Sequence, residues 1–504
     1  MVKKKNFKID FPMVTLVKGC CLLFLLSVNL TLMAQEAPDP YAETVDKITN
    51  ETLSPIPIDS ETINVLSAGS ALKSKNMQPK VLNFMFLWVE STAVGEHSLS
   101  WEVRAATSGV YSVTAEILGK YATIELLCNG EKRNVKVQSE DWSRLDLGSV
   151  QLKKGSNTIE LAIQSKETIK ISALELTRPS VAQGIMDEAL SVRQDPDWFK
   201  DAGYGLMFQW TNRAIPKEGD SIKDWEKKIN DFDVQEFVDM VEETGAAYVI
   251  WSITWGQQYI SAPIASLDKL IEGRTTKRDL LGEMADQLYA KNIKLIFYYH
   301  YGYDCYHSTD PEWLNHAGGY EADKSRLYKN VNDIIAEVGN RYGDKLNGWF
   351  FDGGQRYYDS RFDGTQEGVL SASFKEMSQA ARKGNEERVL TYNSWILPRV
   401  TEYQDYYSGE GLQQFENLDE GSFVDGKHKG LMAHTCFPLE ERWGHIDFNT
   451  PIKKSKYSVE ELRGYVKNAQ HNRYPLSINL EMYEDGSVSS ESLKLLKELR
   501  KVVR

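Results

Sequence analysis

The apolar positions of this chain show two textures, and one gives way to the other near residue 180. Between about residue 78 and residue 178, short β-rich runs recur between turn signals: Ser98–Ala105, Gly109–Leu118, Ala122–Cys128, Lys132–Val137, Thr158–Ile163 and Ile169–Leu176. Asn129-Gly130 and Lys153-Lys154-Gly155-Ser156-Asn157 punctuate them. Strands at this spacing, with no helical stretch between them, predict a β-sandwich. After about residue 185, apolar runs alternate with helical patterns. The runs are Tyr204–Trp210, Tyr248–Ile253, Lys294–Tyr299, Gly348–Asp352 and Val389–Asn393, and the helical patterns include Val234–Thr244, closed by Gly245, and Arg278–Lys291. Further strands are expected near Tyr403–Tyr407, Leu431–His434 and Leu476–Leu480. Eight such units in about 320 residues fit one barrel. The expected architecture is multidomain: an N-terminal all-β sandwich over 78–178, then a (β/α)8 TIM-like barrel over 185–504.

The N-terminal residues add an export expectation. Lys3, Lys4 and Lys5 precede an apolar run, Gly19 to Met33, which is too short for a confident membrane span, and Ala34 offers a small residue for cleavage. Residues 1–34 therefore read as a signal peptide, with a periplasmic or extracellular destination and no membrane insertion after cleavage. Cys20 and Cys21 open the apolar run rather than follow it, which speaks against a lipid anchor. Residues 35–77, polar and acidic with Pro38, Pro40, Pro55 and Pro57, read as a linker or lead-in. The formal charge is −13, and removing the five Lys and one Asp of residues 1–34 leaves about −17. Such a surface disfavours nucleic acid and anionic membranes and is indifferent to a neutral substrate. Cys128, Cys305 and Cys436 lie far apart without metal-ligand spacing, so no zinc site is expected. No cofactor is implied and no ligand cluster for Ca2+ stands out. The 12 Trp and 25 Tyr supply flat apolar faces with polar edges, which suit sugar rings, although packing must account for most of them.

The chemistry is expected at the C-terminal ends of the barrel strands, where this fold opens on its active-site face. Gly348-Trp349-Phe350-Phe351-Asp352-Gly353-Gly354 is an apolar run ending in a carboxylate and two glycines. Taken alone, Asp352 reads as a cap of the next segment. The same design recurs along the chain, however, at Gln209-Trp210, Trp255 with Gln257 and Gln258, Tyr299-His300, Asn393 with Trp395, Glu410 and His434. Polar and aromatic groups gathered at one rim fit a sugar pocket. Glycoside hydrolysis uses two carboxyl groups, and Asp352 with Glu410 forms the candidate pair. Gln209, Trp210, Trp255, Gln257, Tyr299, His300 and Trp395 are the candidate substrate-binding residues, although His300 taken alone reads rather as a hydrogen-bonded structural histidine.

Two resemblances follow from these residues. The order "GVYSVTAEI", "ATIELLCNGE", "LKKGSNTIELAI" resembles galactose-binding-like sandwiches found as carbohydrate-binding modules. Residues about 190 to 502 resemble the barrel of glycoside hydrolase family 29, the α-L-fucosidases. The blocks that carry this are "WFKDAGYGLMFQW", "FDVQEFVDMVEETGAAYVIW", "DLLGEMADQLYAKNIKLIFYY", "GWFFDGG", "WGH" and "SVEELRGYVKNAQHNRYPLSINLEMYEDGSVSSESLKLLKELR". The resemblance implies a retaining, exo-acting mechanism with Asp352 as nucleophile. For the less uniform acid/base it points to Glu410 in "DYYSGEG", with Glu402 and Glu416 as competitors. The chain departs from the family where a His usually precedes the first-strand Trp, a position held here by Gln209. It departs again where two adjacent His follow strand two, since it reads Thr254-Trp255-Gly256-Gln257-Gln258. An Arg expected after strand five is also displaced, unless Arg399 supplies it. The family's C-terminal sandwich has no counterpart after the last barrel helix, and the N-terminal sandwich is expected to stand in its place. The expectation is a secreted exo-glycosidase acting on a terminal α-linked sugar of a glycan, fucose or a relative. The alternatives are a non-catalytic carbohydrate-binding protein on a degenerate barrel and a transglycosidase using the same carboxylates.

Overall fold

The computed structural model describes residues 55–82, 85–300, 310–319, 321, 325–352, 373–393, 399–410 and 430–503. The expected signal peptide, Cys305, Trp395 and Glu416 lie outside the described residues.

Ten strands make the N-terminal layer structure: β1 (Ile56–Ile58), β2 (Asn64–Ser67), β3 (Leu72–Lys73), β4 (Met77–Leu82), β5 (Met85–Ser91), β6 (Gly95–Ala105), β7 (Gly109–Cys128), β8 (Glu131–Leu152), β9 (Gly155–Ser165) and β10 (Lys170–Thr177). Alternation along β6 and β9 sends Leu99, Trp101, Val103, Ile159, Leu161 and Ile163 into one core. The two layers come from a single folded sheet. β7 pairs with β10 through Ser112–Leu118 and with β9 through Ala122–Cys128. The register shifts at Gly119, where a Cβ would sit 3.1 Å from Ile169, and Tyr121 takes φ 52°. A bulge with a small residue at the corner lets one strand turn from one layer into the other. The runs Gly109–Leu118 and Ala122–Cys128, expected as two strands, are thus one bent strand. The sandwich also begins earlier than residue 78, because Ile56 and Ile58 are buried against its core. Pro57 is tolerated in β1 because that strand lies at the sheet edge.

The second half is a parallel barrel: β11 (Tyr204–Phe208), β12 (Tyr248–Ser252), β13 (Lys294–His300), β14 (Gly348–Asp352), β15 (Val389–Tyr392), β16 (Thr435–Pro438) and β17 (Leu476–Leu480). Their order is β15-β14-β13-β12-β11-β17-β16. The segment 406–410 closes the ring between β15 and β16, with bridges Tyr406 to Met432 and Glu410 to Cys436 and with Asp405 N–H on Leu390 O. Alternate residues face opposite ways. Leu206, Phe208, Trp251, Phe297, Tyr299, Trp349 and Phe351 join the core under the helices, whereas Met207, Tyr248, Ile250, Ile296, Tyr298 and Phe350 form the inner core.

Helices cover the outer face. Val234–Thr244 buries Val234, Phe237, Val238 and Val241, a helical stripe; Asp233 caps it, and it ends at Gly245 with φ 78°. Helix α1 (Pro179–Val192) leads from the sandwich and packs Ile185, Ala189 and Val192 on the barrel core. The two units are also tied by polar contacts. Arg144 of β8, held by Glu175 at 2.9 Å within the sandwich, reaches across to donate to Val400 O at 2.8 Å and lies 3.8 Å from the Glu402 carboxylate. No described helix is long and apolar enough to cross a membrane.

Candidate active site

The inner faces of the strands converge at their C-terminal ends on a small cavity lined by Met207, Gln209, Trp255, Tyr298, Phe350, Asp352, Asn393, Glu410, Cys436 and Trp443. Asp352 ends β14 and Glu410 ends the 406–410 segment. Between them stands Asn393, one residue beyond β15. Its Nδ2 donates to Asp352 Oδ1 at 3.1 Å and to Glu410 Oε2 at 2.7 Å. Its Oδ1 accepts from the Ser408 hydroxyl at 3.0 Å, which leaves the amide hydrogens for the carboxylates. Two such bonds from one amide nitrogen tie one oxygen of each carboxylate to a common donor. The Tyr298 hydroxyl donates to the other oxygen of Asp352, and its ring stacks on Phe350 with centroids 5.6 Å apart. Both oxygens of Asp352 are therefore oriented.

The aromatic walls come from two loops. Trp255 follows β12 and Trp443 follows β16, and both pack on the inner core. Gln209 is only 7% exposed, and its Oε1 has no hydrogen-bond partner among the described residues. A buried carbonyl facing a cavity is costly unless a ligand hydroxyl completes it. Burial and the negative charges of Glu410 and Asp352 push the Cys436 thiol well up, so it is a neutral apolar surface in the pocket wall. Burial brings His434 down to about 4; its ring is held by Tyr407 O, Ser408 O and the Ser477 hydroxyl, as a neutral structural group.

The sequence-named residues divide accordingly. Asp352, Glu410, Gln209 and Trp255 come together at the cavity. Trp210 and Tyr299 do not, because each follows an inward-facing residue and therefore turns outward. Trp210 is packed among Trp225, Phe232 and Trp251, with its indole N–H on Tyr483 O at 3.0 Å. The Tyr299 hydroxyl donates to Gln258 Oε1 at 2.8 Å beneath the rim. His300 is buried in register with Asp352, its main-chain N–H and C=O both bonded to the Thr254 hydroxyl, and Gln257 accepts from Asn212 at 2.7 Å; neither is among the residues that line the cavity. Glu402 sits with Arg144, Arg193 and Arg399 at the sandwich junction. Arg399 is thus engaged away from the pocket. Among the described residues, no group of three or more His, Cys, Asp or Glu could hold a metal ion. Sequence reasoning passed over Tyr298, Phe350, Cys436 and Trp443. The signal for Tyr298 was strand alternation, since it lies in register with Phe350, two residues before Asp352.

Two carboxylates and two tryptophans thus surround one small pocket at the C-terminal ends of the barrel strands. The alpha-L-fucosidase family profile matches residues 220–501. The chain belongs to that family and is an α-L-fucosidase-like glycosidase. Solved structures similar to it include an α-L-fucosidase of glycoside hydrolase family 29 from Bacteroides thetaiotaomicron, trapped as a covalent intermediate, at 18% identity over 61% of this chain and 74% of that one, with a TM-score of 0.44. An endo-fucoidan hydrolase of family 107 aligns at 12% identity over 60% of this chain and 92% of that one, with a TM-score of 0.45. The α-L-fucosidase of Lactobacillus casei, in complex with α-L-fucose, aligns at 14% identity over 60% and 96%, with a TM-score of 0.43. No curated protein matches the chain.

Proposed function

We propose that this protein is an exported, exo-acting, retaining glycosidase that removes a terminal α-linked fucose or related sugar from a glycan. Asp352 is the nucleophile and Glu410 the acid/base. The observation that carries this reading is the shared Asn393 amide, which bridges one oxygen of each carboxylate, so that these two oxygens lie no farther apart than the two bonds laid end to end. Retaining enzymes separate their carboxyl groups by about 5–5.5 Å, whereas inverting ones leave about 6.5–9.5 Å for a water. Attack by Asp352 forms a glycosyl-enzyme ester as Glu410 protonates the leaving oxygen; Glu410 then deprotonates the water that cleaves the ester. The apolar lining of Met207, Phe350 and Cys436 suits a sugar with a hydroxyl-poor face. Export rests on the basic and apolar pattern of residues 1–34.

The test is turnover of a panel of aryl glycosides, α-L-fucoside included, by the mature protein and by Asp352→Ala. Hydrolysis with retained anomeric configuration, lost by several orders of magnitude in the variant, is expected. Unimpaired turnover by Asp352→Ala, or an inverted product, would overturn the assignment. Silence across the panel combined with glycan binding would favour a barrel that only binds.

A further inference from the structure

We propose that Glu481 is a positioning residue for the sugar pocket, holding the loop that presents Trp443 to the bound ring. This rests on the reading of the cavity as the sugar subsite. Glu481 follows β17 and is 3% exposed, yet it belongs to no charged pair with Lys or Arg among the described residues. Its carboxylate is spent on one short loop. Oε1 accepts the backbone N–H groups of Glu441 at 3.2 Å and Arg442 at 3.0 Å, and Oε2 meets His445 Nδ1 at 3.0 Å. Trp443 lies between these anchor points. From the same face of β17, two residues earlier, Asn479 Nδ2 donates to Trp443 O at 2.8 Å. β17 and the residue after it thus grip the loop, by donor at Asn479 and by acceptor at Glu481.

The grip determines where the indole goes. Gly444 lies so close to Trp255 that a Cβ there would come within 2.8 Å of the ring. The loop is therefore pressed on one aromatic wall while it carries the other. His445, fixed at its far nitrogen by Thr450 O at 3.0 Å and packed edge-on to Tyr483 at 4.9 Å, closes the loop behind Trp443. Glu440 ties the strand end itself, accepting Glu481 N–H at 3.1 Å. A buried carboxylate accepting two backbone N–H groups orders a loop at the expense of its own desolvation, which makes sense where an aromatic wall must be rigid. Glu481 touches neither the cavity nor the carboxylates, so it acts through Trp443.

The test uses the full chain with Glu481→Ala, Glu481→Gln and Glu481→Asp, each with and without Trp443→Phe. Trp443 emission is taken as the difference within each pair, and steady-state kinetics are run on the aryl glycoside that the wild type turns over. In Glu481→Ala the Trp443 emission is expected to shift to the red as the indole leaves the wall. KM should rise ~tenfold, with kcat changed by less than ~threefold, because ground-state and transition-state contacts with Trp443 are lost alike. Gln keeps an acceptor for the two N–H groups and offers His445 a donor, so it should restore both readouts. Asp retracts the oxygens by about one carbon–carbon bond, ~1.5 Å, and should behave like Ala while keeping the charge. An unchanged Trp443 emission in Glu481→Ala or Glu481→Asp, or effects that persist equally in Glu481→Gln, would overturn the proposal. A wild type without glycosidase activity would instead refute the function assigned to the pocket, and the emission arm would still decide the role of Glu481.

Discussion

Replacing Asn393 by Ala removes one amide and leaves two carboxylates facing each other. In the native site the Asn393 Nδ2 donates at 3.1 Å to Asp352 and at 2.7 Å to Glu410. Hydrogen bonds to charged groups contribute about 1.5–3 kcal/mol each. A second estimate comes from repulsion: two unit charges no farther apart than these two bonds laid end to end interact, at an effective dielectric near 20, by about 3 kcal/mol. The two bonds together give about 3–6 kcal/mol and the repulsion they offset about 3 kcal/mol, so a loss near the lower end, about 3–4 kcal/mol, is expected, a ~100–1000-fold fall in kcat/KM. The fall should appear mainly in kcat, since the Trp255 and Trp443 walls remain. The assay is steady-state hydrolysis of the best aryl glycoside, with thermal melting to establish that the variant is folded. Ser408→Ala, which frees the Asn393 carbonyl and lets the amide turn, should cost a smaller factor in the same direction. A folded Asn393→Ala variant within about fivefold of wild type would refute the argument that this amide organises the carboxylate pair.

Two further substitutions test the rest of the structure. Trp210→Ala should destabilise the barrel by about 3–5 kcal/mol in urea unfolding while leaving KM unchanged, because the ring is a core element under the helices; normal stability with lost substrate binding would place it in the pocket instead. Glu116 is 5% exposed, one Oε1 lacks a partner, and burial together with nearby Glu175 pushes its carboxyl up to about 8, against the counter-pull of Arg144 and Ser172. Between the ordinary carboxylate range and about 8 the folded chain therefore holds a proton that the unfolded chain releases, so this group lowers stability as pH rises through that window. Glu116→Gln should raise stability at pH 8 relative to pH 5 when urea melts are compared with wild type; an unaltered difference between the two pH values would refute it.

How much of this was visible in the linear chain depends on burial. In the sandwich, one face of each strand is covered, and alternation along Ser98–Ala105 or Thr158–Ile163 already marked the core side. What alternation could not show was that Gly109–Leu118 and Ala122–Cys128 are one strand bent between layers, since the bend is made by pairing with two different neighbours. In the barrel, every residue of Tyr204–Phe208 and Tyr248–Ser252 is buried. Parallel strands covered on both faces carry no alternation to read, so the apolar runs announced strands and their C-terminal ends without saying which side chains turn inward. Gln209 and Trp210 were both named, although strand geometry lets only one of two neighbours face the pocket. Tyr299 was named where Tyr298 reaches Asp352.

The reaction class was legible because it needs only particular residue types at strand ends: Asp352 after an apolar run, Glu410 after a glycine, and aromatic residues in the following loops. These are local features, and local sequence specifies them. The working arrangement is not local. Asn393 joins carboxylates 41 and 17 positions away in the chain, and Glu481 anchors a loop about 40 residues earlier. Such contacts exist only because barrel closure brings β14, β15, 406–410, β16 and β17 side by side, and hydrogen bonds of a few ångströms depend on that registration rather than on spacing along the chain. The sequence thus specified the first five barrel strands, the last one and the chemistry available at strand ends, but set the sixth and seventh units at Tyr403–Tyr407 and Leu431–His434, where the structure has the bridged segment 406–410 and β16 at Thr435–Pro438; the closed barrel decided which groups meet.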